Sequence, residues 1–174
     1  TVTISSVNEG SSASYDVDTN FTFTAGSTFS AYSLLSGSLP SGLSLNTATG
    51  VISGTMGSVS ADTAYTFTIR GTDTNSDYVD QSYSWTIIEP FTATGGTITT
   101  YSGYRVHTFT SSASGASGFV PNKAGSVDVL VVAGGGGGGI DFGGAGGAGG
   151  FRAVAGNSVT ASAYTVTVGA GGVG

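Results

Sequence analysis

The stretch VDVLVVAGGGGGGIDFGGAGGAGG, Val127 to Gly150, decides how the chain must be read. It opens with VDVLVVA, an apolar run of strand length that predicts a buried strand. The run leads straight into a tract almost without side chains, so the tract can be linker, lattice or tip but has no chemistry of its own. Fixing a residue costs ~1–2 kcal/mol of backbone entropy, so ordering Gly134–Gly150 costs on the order of 20–30 kcal/mol. Glycine loses more freedom than any other residue, and a free tract is therefore expected to behave as a flexible linker. Three features argue for order instead. Ile140, Phe142 and Phe151 interrupt the tract and can anchor it. A strand pattern enters it and another, AYTVTVG, follows. The serines typical of flexible linkers are missing. Without Cβ atoms, neighbouring runs can approach closely and exchange N–H···O=C bonds, each an extended left-handed run rising about 3.1 Å per residue. Gly134–Gly139 and Gly143–Gly150 are the two expected runs, with Ile140-Asp141-Phe142 as the turn between them. Gly136→Val is then expected to disrupt the domain. Leu130 and Val132 are expected to tolerate Asp no better than core positions.

Upstream, residues 1–88 read as short strands of alternating pattern: TVTIS, SYDVD, NFTFT, FSAYSLL, AYTFTIRGTD and SYSWTII. Aromatic and β-branched residues alternate with small polar ones, as in strands with one buried face. Strands at this spacing with no helical period predict a β-sandwich. Its expected core is Phe21, Phe23, Tyr32, Leu34, Leu43, Leu45, Ile52, Tyr65, Phe67, Ile69, Tyr83, Trp85 and Ile87. Between the strands lies SGSLPSGLSLNTATGVISGT. Pro40 presets φ for a turn there and Gly42 can take positive φ, while Gly50 and Gly54 bracket a strand that must carry Val51 and Ile52 inward.

Leu39-Pro40-Ser41-Gly42-Leu43, then Thr49-Gly50-Val51-Ile52-Ser53-Gly54-Thr55, then Tyr65 to Ile69 and Asp73, resemble an immunoglobulin-like family. Its members occur in tandem in bacterial surface proteins and in phage structural proteins. The resemblance covers roughly residues 20–88 and departs at Met56, where the family often has Pro. Pro90 cannot donate to a ladder and marks the end of the domain. The expectation is an all-β chain: an immunoglobulin-like β-sandwich over 1–89, followed by a glycine-rich β domain over 90–174.

In the second half, GGTITTYSGYRVHTFT, followed by VDVLVVAGGGGGG and GGAGGAGG, resembles the glycine-rich domain of phage tail-fibre and adhesin proteins over about residues 93–174. In those adhesins such runs stack as a polyglycine lattice that presents variable loops to a receptor. The resemblance implies a virion structural protein, a fibre or appendage subunit at the virion surface. It would work as a homo-oligomer, a trimer by analogy, beside other virion proteins. It implies contact with a host-surface glycan or protein through a loop such as Ile140-Asp141-Phe142. The alternative with the same modules is a bacterial cell-surface adhesin or extracellular filament subunit. The chain starts at Thr1 and ends in VGAGGVG, so we expect a segment of a longer polypeptide with the second domain incomplete at its C-terminus.

Composition narrows the classes further. Only 8% of the 174 residues are charged, far below the roughly 25% usual in soluble domains, and the net charge is -6. The four cationic residues, Arg70, Arg105, Lys123 and Arg152, are scattered, which argues against nucleic acid. No apolar run is long enough to cross a membrane as a helix. Cysteines are absent, which excludes disulfides and thiolate metal sites.

Candidate sites are few. In GTDTNSDYVD, Asp73, Asn75, Asp77 and Asp80 offer the oxygens that calcium prefers, though such loops also cap themselves through side-chain to backbone hydrogen bonds. His107 lacks a placed carboxylate and nucleophile, and reads as a polar strand residue. Asp16 and Asp18 lie two apart on a strand, with no acid/base cleft indicated. The glycine tract is no phosphate loop, because no Gly-Lys-Ser/Thr follows it. The tyrosines and Trp85 fit sugar stacking or cross-strand core pairs. The reading is a non-enzymatic protein without cofactors, unless a catalytic domain lies outside this segment.

Overall fold

The computed structural model describes residues 1–23, 28–139 and 144–172. The fold is all-β, with 52% of the chain in strands and 4% in helix. Its contacts divide it into two units, Thr1–Pro90 and Phe91–Gly174.

In the first unit, one sheet has the order β1 (Val2–Asn8), β7 (Tyr78–Ile88), β6 (Thr63–Asp73), β3 (Phe29–Gly37). The second has the order β2 (Ser12–Asp16), β5 (Val51–Thr55), β4 (Leu43–Leu45). Strand β1 runs parallel to β7, while β6 is antiparallel to both β7 and β3. The long β6–β7 pair follows the expected alternation: Phe67 and Ile69 on one strand, and Tyr83, Trp85 and Ile87 on the other, are all buried. They meet Tyr32 from β3, Ile4 from β1 and Ile52 from β5, so the core lies between the two sheets.

The glycines of the central motif have mutually dependent roles. Gly42 and Gly54 both take positive φ. A Cβ on Gly42 would overlap the Thr55 carbonyl, and one on Gly54 would overlap the Gly42 carbonyl. The two turns are thus pressed backbone to backbone, and only glycine fits.

The core differs from expectation in four places. Leu34 is 41% exposed, because β3 is an edge strand with a register shift between Leu34 and Ser36. Phe21–Phe23 form no strand; they follow a 3-10 turn at Asp18–Asn20, and Phe21 packs at the margin of the core. Val17 and Met56 are fully enclosed although each sits just past a strand end. Ile4 joins the core from β1.

The second unit is a set of short pairs. Strand β8 (Ala93–Thr94) pairs with β11 (Val120–Pro121), and β9 (Thr97–Tyr101) forms a hairpin with β10 (Tyr104–Thr108). Ser102 and Gly103, the two turn residues, both have positive φ, as a tight hairpin turn requires. Strand β12 (Gly125–Val132) pairs antiparallel with β13 (Phe151–Val159). AYTVTVG, expected as a strand, contributes isolated bridges, Tyr164 to Phe119 and Val166 to Ala113. Among the described residues, the fully buried hydrophobics of this unit are Ala93 and Val159.

The β12 strand departs most from expectation. It was expected to be buried, yet Leu130, Val131 and Val132 are 62%, 54% and 69% exposed, and Phe151, opposite Val132, is 72% exposed. Among the described residues of its own unit, nothing covers this end of the apolar run.

Candidate functional site

Beyond Val132 and Phe151 the hairpin continues in register into the glycine tract, but its hydrogen bonding changes period. Ala133 N–H donates to the Gly150 carbonyl (2.8 Å), Gly136 N–H to Gly147 (2.9 Å), and Gly139 N–H to Gly144 (3.1 Å). Donors and acceptors each recur every third residue. A β-ladder repeats every second residue, whereas an extended left-handed helix repeats every third. The two runs are therefore threefold chains packed side by side. A third run joins them where Gly172 N–H donates to Gly135 at 3.3 Å.

The sequence GGAGGAGG fits this period. A Cβ on Gly146 would overlap the Gly136 carbonyl, and one on Gly149, three residues on, would overlap the Ala133 carbonyl. Gly172 is equally closed, against the Gly137 amide. Ala145 and Ala148 occupy another row of the same helix, and both are exposed. A Cβ alone on Gly136 meets the Gly147 amide nitrogen at 3.6 Å, an ordinary contact, so the tightest row of the tract is not the one that carries Gly136. The positions that exclude a side chain are Gly146, Gly149 and Gly172. The turn Ile140-Asp141-Phe142 lies outside the described residues.

The acidic loop is a turn. Asp73 is buried, and its Oδ1 accepts the amides of Asn75 and Asp77, both at 2.9 Å. Asp80 points elsewhere, forming a two-pronged pair with Arg70 (2.7 and 2.8 Å) whose guanidinium lies 3.7 Å from the Tyr78 ring centre. This hydrogen-bonded pairing holds the Asp80 carboxyl below its usual pKa. Asp73, Asp77 and Asp80 therefore do not converge on a calcium site, and among the described residues no group of three His, Cys, Asp or Glu could hold a metal ion.

Asp16 and Asp18 do not share a strand face, because β2 ends at Asp16 and the chain turns. Asp16 Oδ1 accepts the Asp18 amide at 3.0 Å, and Asp18 Oδ1 accepts the Tyr32 hydroxyl. Burial, then the hydrogen bond to Asp18, raise the Tyr32 pKa, and burial raises that of Tyr83. His107 Nδ1–H donates to the Gly95 carbonyl at 2.8 Å, and its ring stands edge-on to Phe119. It is a structural pin. Trp85 is buried, so it presents no sugar platform. Tyr101 and Tyr104, at 77% and 63%, are the exposed tyrosines of the β9–β10 hairpin.

The family described as "Putative Ig domain" matches residues 1–88, and the family described as "Glycine-rich domain" matches residues 111–174. Comparison with curated proteins returned no match. Immunoglobulin-like and glycine-rich domains together fit a structural or adhesion-type protein. With its two turns interlocked at Gly42 and Gly54 and two sheets closed over Trp85, the chain belongs to the Ig-domain family whose pattern spans residues 1–88.

Proposed function

We propose that the chain is a non-enzymatic structural subunit of a bacteriophage appendage, displayed at the virion surface as a homo-oligomer, with three copies favoured. The observation that carries this reading is the glycine tract, hydrogen-bonded at every third residue beside a sandwich of the Ig-domain family. Such a lattice offers rigidity and resistance to trypsin-like cleavage, since the whole chain has four Lys and Arg residues. The second unit buries few large side chains of its own, so neighbouring copies have a physical reason to complete it. A host-surface glycan or protein would be met by the segment Ile140-Asp141-Phe142, whose side chains set it apart from the glycines on either side.

Particle imaging tests this. Antibody raised against residues 1–90 should label purified phage particles at their fibres or appendages. Label restricted to the bacterial cell envelope, with unlabelled particles, would replace the phage reading with that of a cell-surface adhesin.

A further inference from the structure

The β9–β10 hairpin ends in two tyrosines set side by side. Tyr101 and Tyr104 are partners in its register, so their side chains leave the same face, about 5 Å apart at Cβ. Both are largely exposed. By alternation Thr99 and Val106 follow them on that face, then Thr97 and Thr108. The other face carries His107, whose bond to the Gly95 carbonyl and edge-on contact with Phe119 fix which way the hairpin is turned. The tyrosine face is therefore held outward by the fold. The turn between the rings is strained. Ser102 has φ 47°, in the left-handed region that a two-residue hairpin turn demands and that Asn or Gly meets at less cost. A hydroxyl kept there at the expense of backbone strain, between two exposed rings, points to a contact.

The size and chemistry of the tip select its occupant. Two aromatic side chains supply at most about 500 Å² of contact. A standard protein interface takes roughly 800 Å² from each partner, so the tip is too small for one. Behind the pair, the face offers threonines and Val106, itself only 38% exposed. A pyranose ring fits the pair. Its C–H bonds carry slight positive charge and stack on the negative face of an aromatic ring. Its hydroxyls need partners that both donate and accept, and the two phenols, Ser102 and Thr99 are of that kind. An ionic ligand is not favoured, because the charged residue of the hairpin, Arg105, lies on the opposite face.

We propose that Tyr101, Ser102 and Tyr104 form a saccharide-binding platform that takes one pyranose unit of a surface polysaccharide. Such a platform serves a phage appendage and a cell-surface adhesin alike, so it does not depend on which of the two the chain is. It covers one face of a sugar and leaves the other in water, so a single copy binds weakly. Amide NMR of the isotope-labelled 174-residue chain tests it, by titration with the methyl pyranosides of glucose, galactose, mannose and N-acetylglucosamine. At least one of these should give saturable shifts centred on Thr99–Val106. Tyr101→Ala and Tyr104→Ala should each weaken that binding on the order of tenfold. Tyr101→Phe, which keeps the ring, should bind close to wild type. Ser102→Gly, which removes the strain and the hydroxyl together, should weaken binding while the hairpin stays folded. The contact between His107 and Phe119, seen by NMR, confirms the hairpin in each variant. Shifts centred elsewhere, no saturable shift with any of these sugars, or alanine variants that bind as wild type would each overturn the platform and leave the appendage reading standing. Unchanged binding by Ser102→Gly would overturn the role of its hydroxyl.

Discussion

Trp85 is 1% exposed, sits on the central β7 strand and packs against Tyr15. Trp85→Ala should therefore cost about 3–5 kcal/mol, read from denaturant unfolding. A cost near zero would mean that the ring is not enclosed. Tyr32 and Tyr83 make a second residue-scale prediction. Both phenols are buried in neutral form and have raised pKa values. Their contribution is fully present below the unfolded phenol pKa of about 10, and it is lost as pH climbs from there through the folded values. Stability of the first unit should thus decline above about pH 10, and Tyr32→Phe should flatten that decline. An unchanged slope would assign the alkaline loss to other groups.

At the level of elements, period two was legible strand by strand, and the extended left-handed runs expected of the glycine tract match its hydrogen bonds at every third residue. The alternation in TFTIRG and YSWTII correctly identified the inward residues of β6 and β7, because both strands are covered on one face by the same core. Leu34 carried the same signal and is exposed: it keeps Ile69 as its cross-strand neighbour, but it lies on the edge strand beside a register shift. Val17 and Met56 carried no signal, because enclosure at a strand end depends on which loop folds over it. The run Val127–Val132 reads as buried from composition, yet its last three residues are exposed among the described residues, because composition does not say what packs against a strand. The signal in GGAGGAGG was present all along: alanine every third residue, on a row that Gly146 and Gly149 do not share. Its consequence is specific. Gly146→Ala should cost about 1–3 kcal/mol through overlap with the Gly136 carbonyl. Gly136→Ala, with its ordinary contact, should fall within about 0.5 kcal/mol of wild type. Thermal melts of the two variants compare them directly, and equal costs would mean that the rows are not distinguished. Of the candidate sites, the turn nature of the acidic loop was foreseeable from its Asx content, whereas the capture of Asp80 by Arg70 depends on cross-strand register.

For the whole molecule, the division at Pro90 separates a unit with a continuous core from one built of short pairs around a glycine lattice. Residues 1–90 expressed alone should unfold in one cooperative transition, since every member of the core cluster lies within them. A broad, non-cooperative melt would place part of that core's support in the second unit. The central claim is that the glycine tract is a lattice fixed by hydrogen bonds three residues apart. Residue-resolved amide exchange tests it most directly. The account predicts slowed exchange at Ala133, Gly136 and Gly139, the donors of the lattice, against faster exchange at Gly134 and Gly137. Random-coil exchange rates across Gly134–Gly139, or protection alternating every second residue, would contradict it.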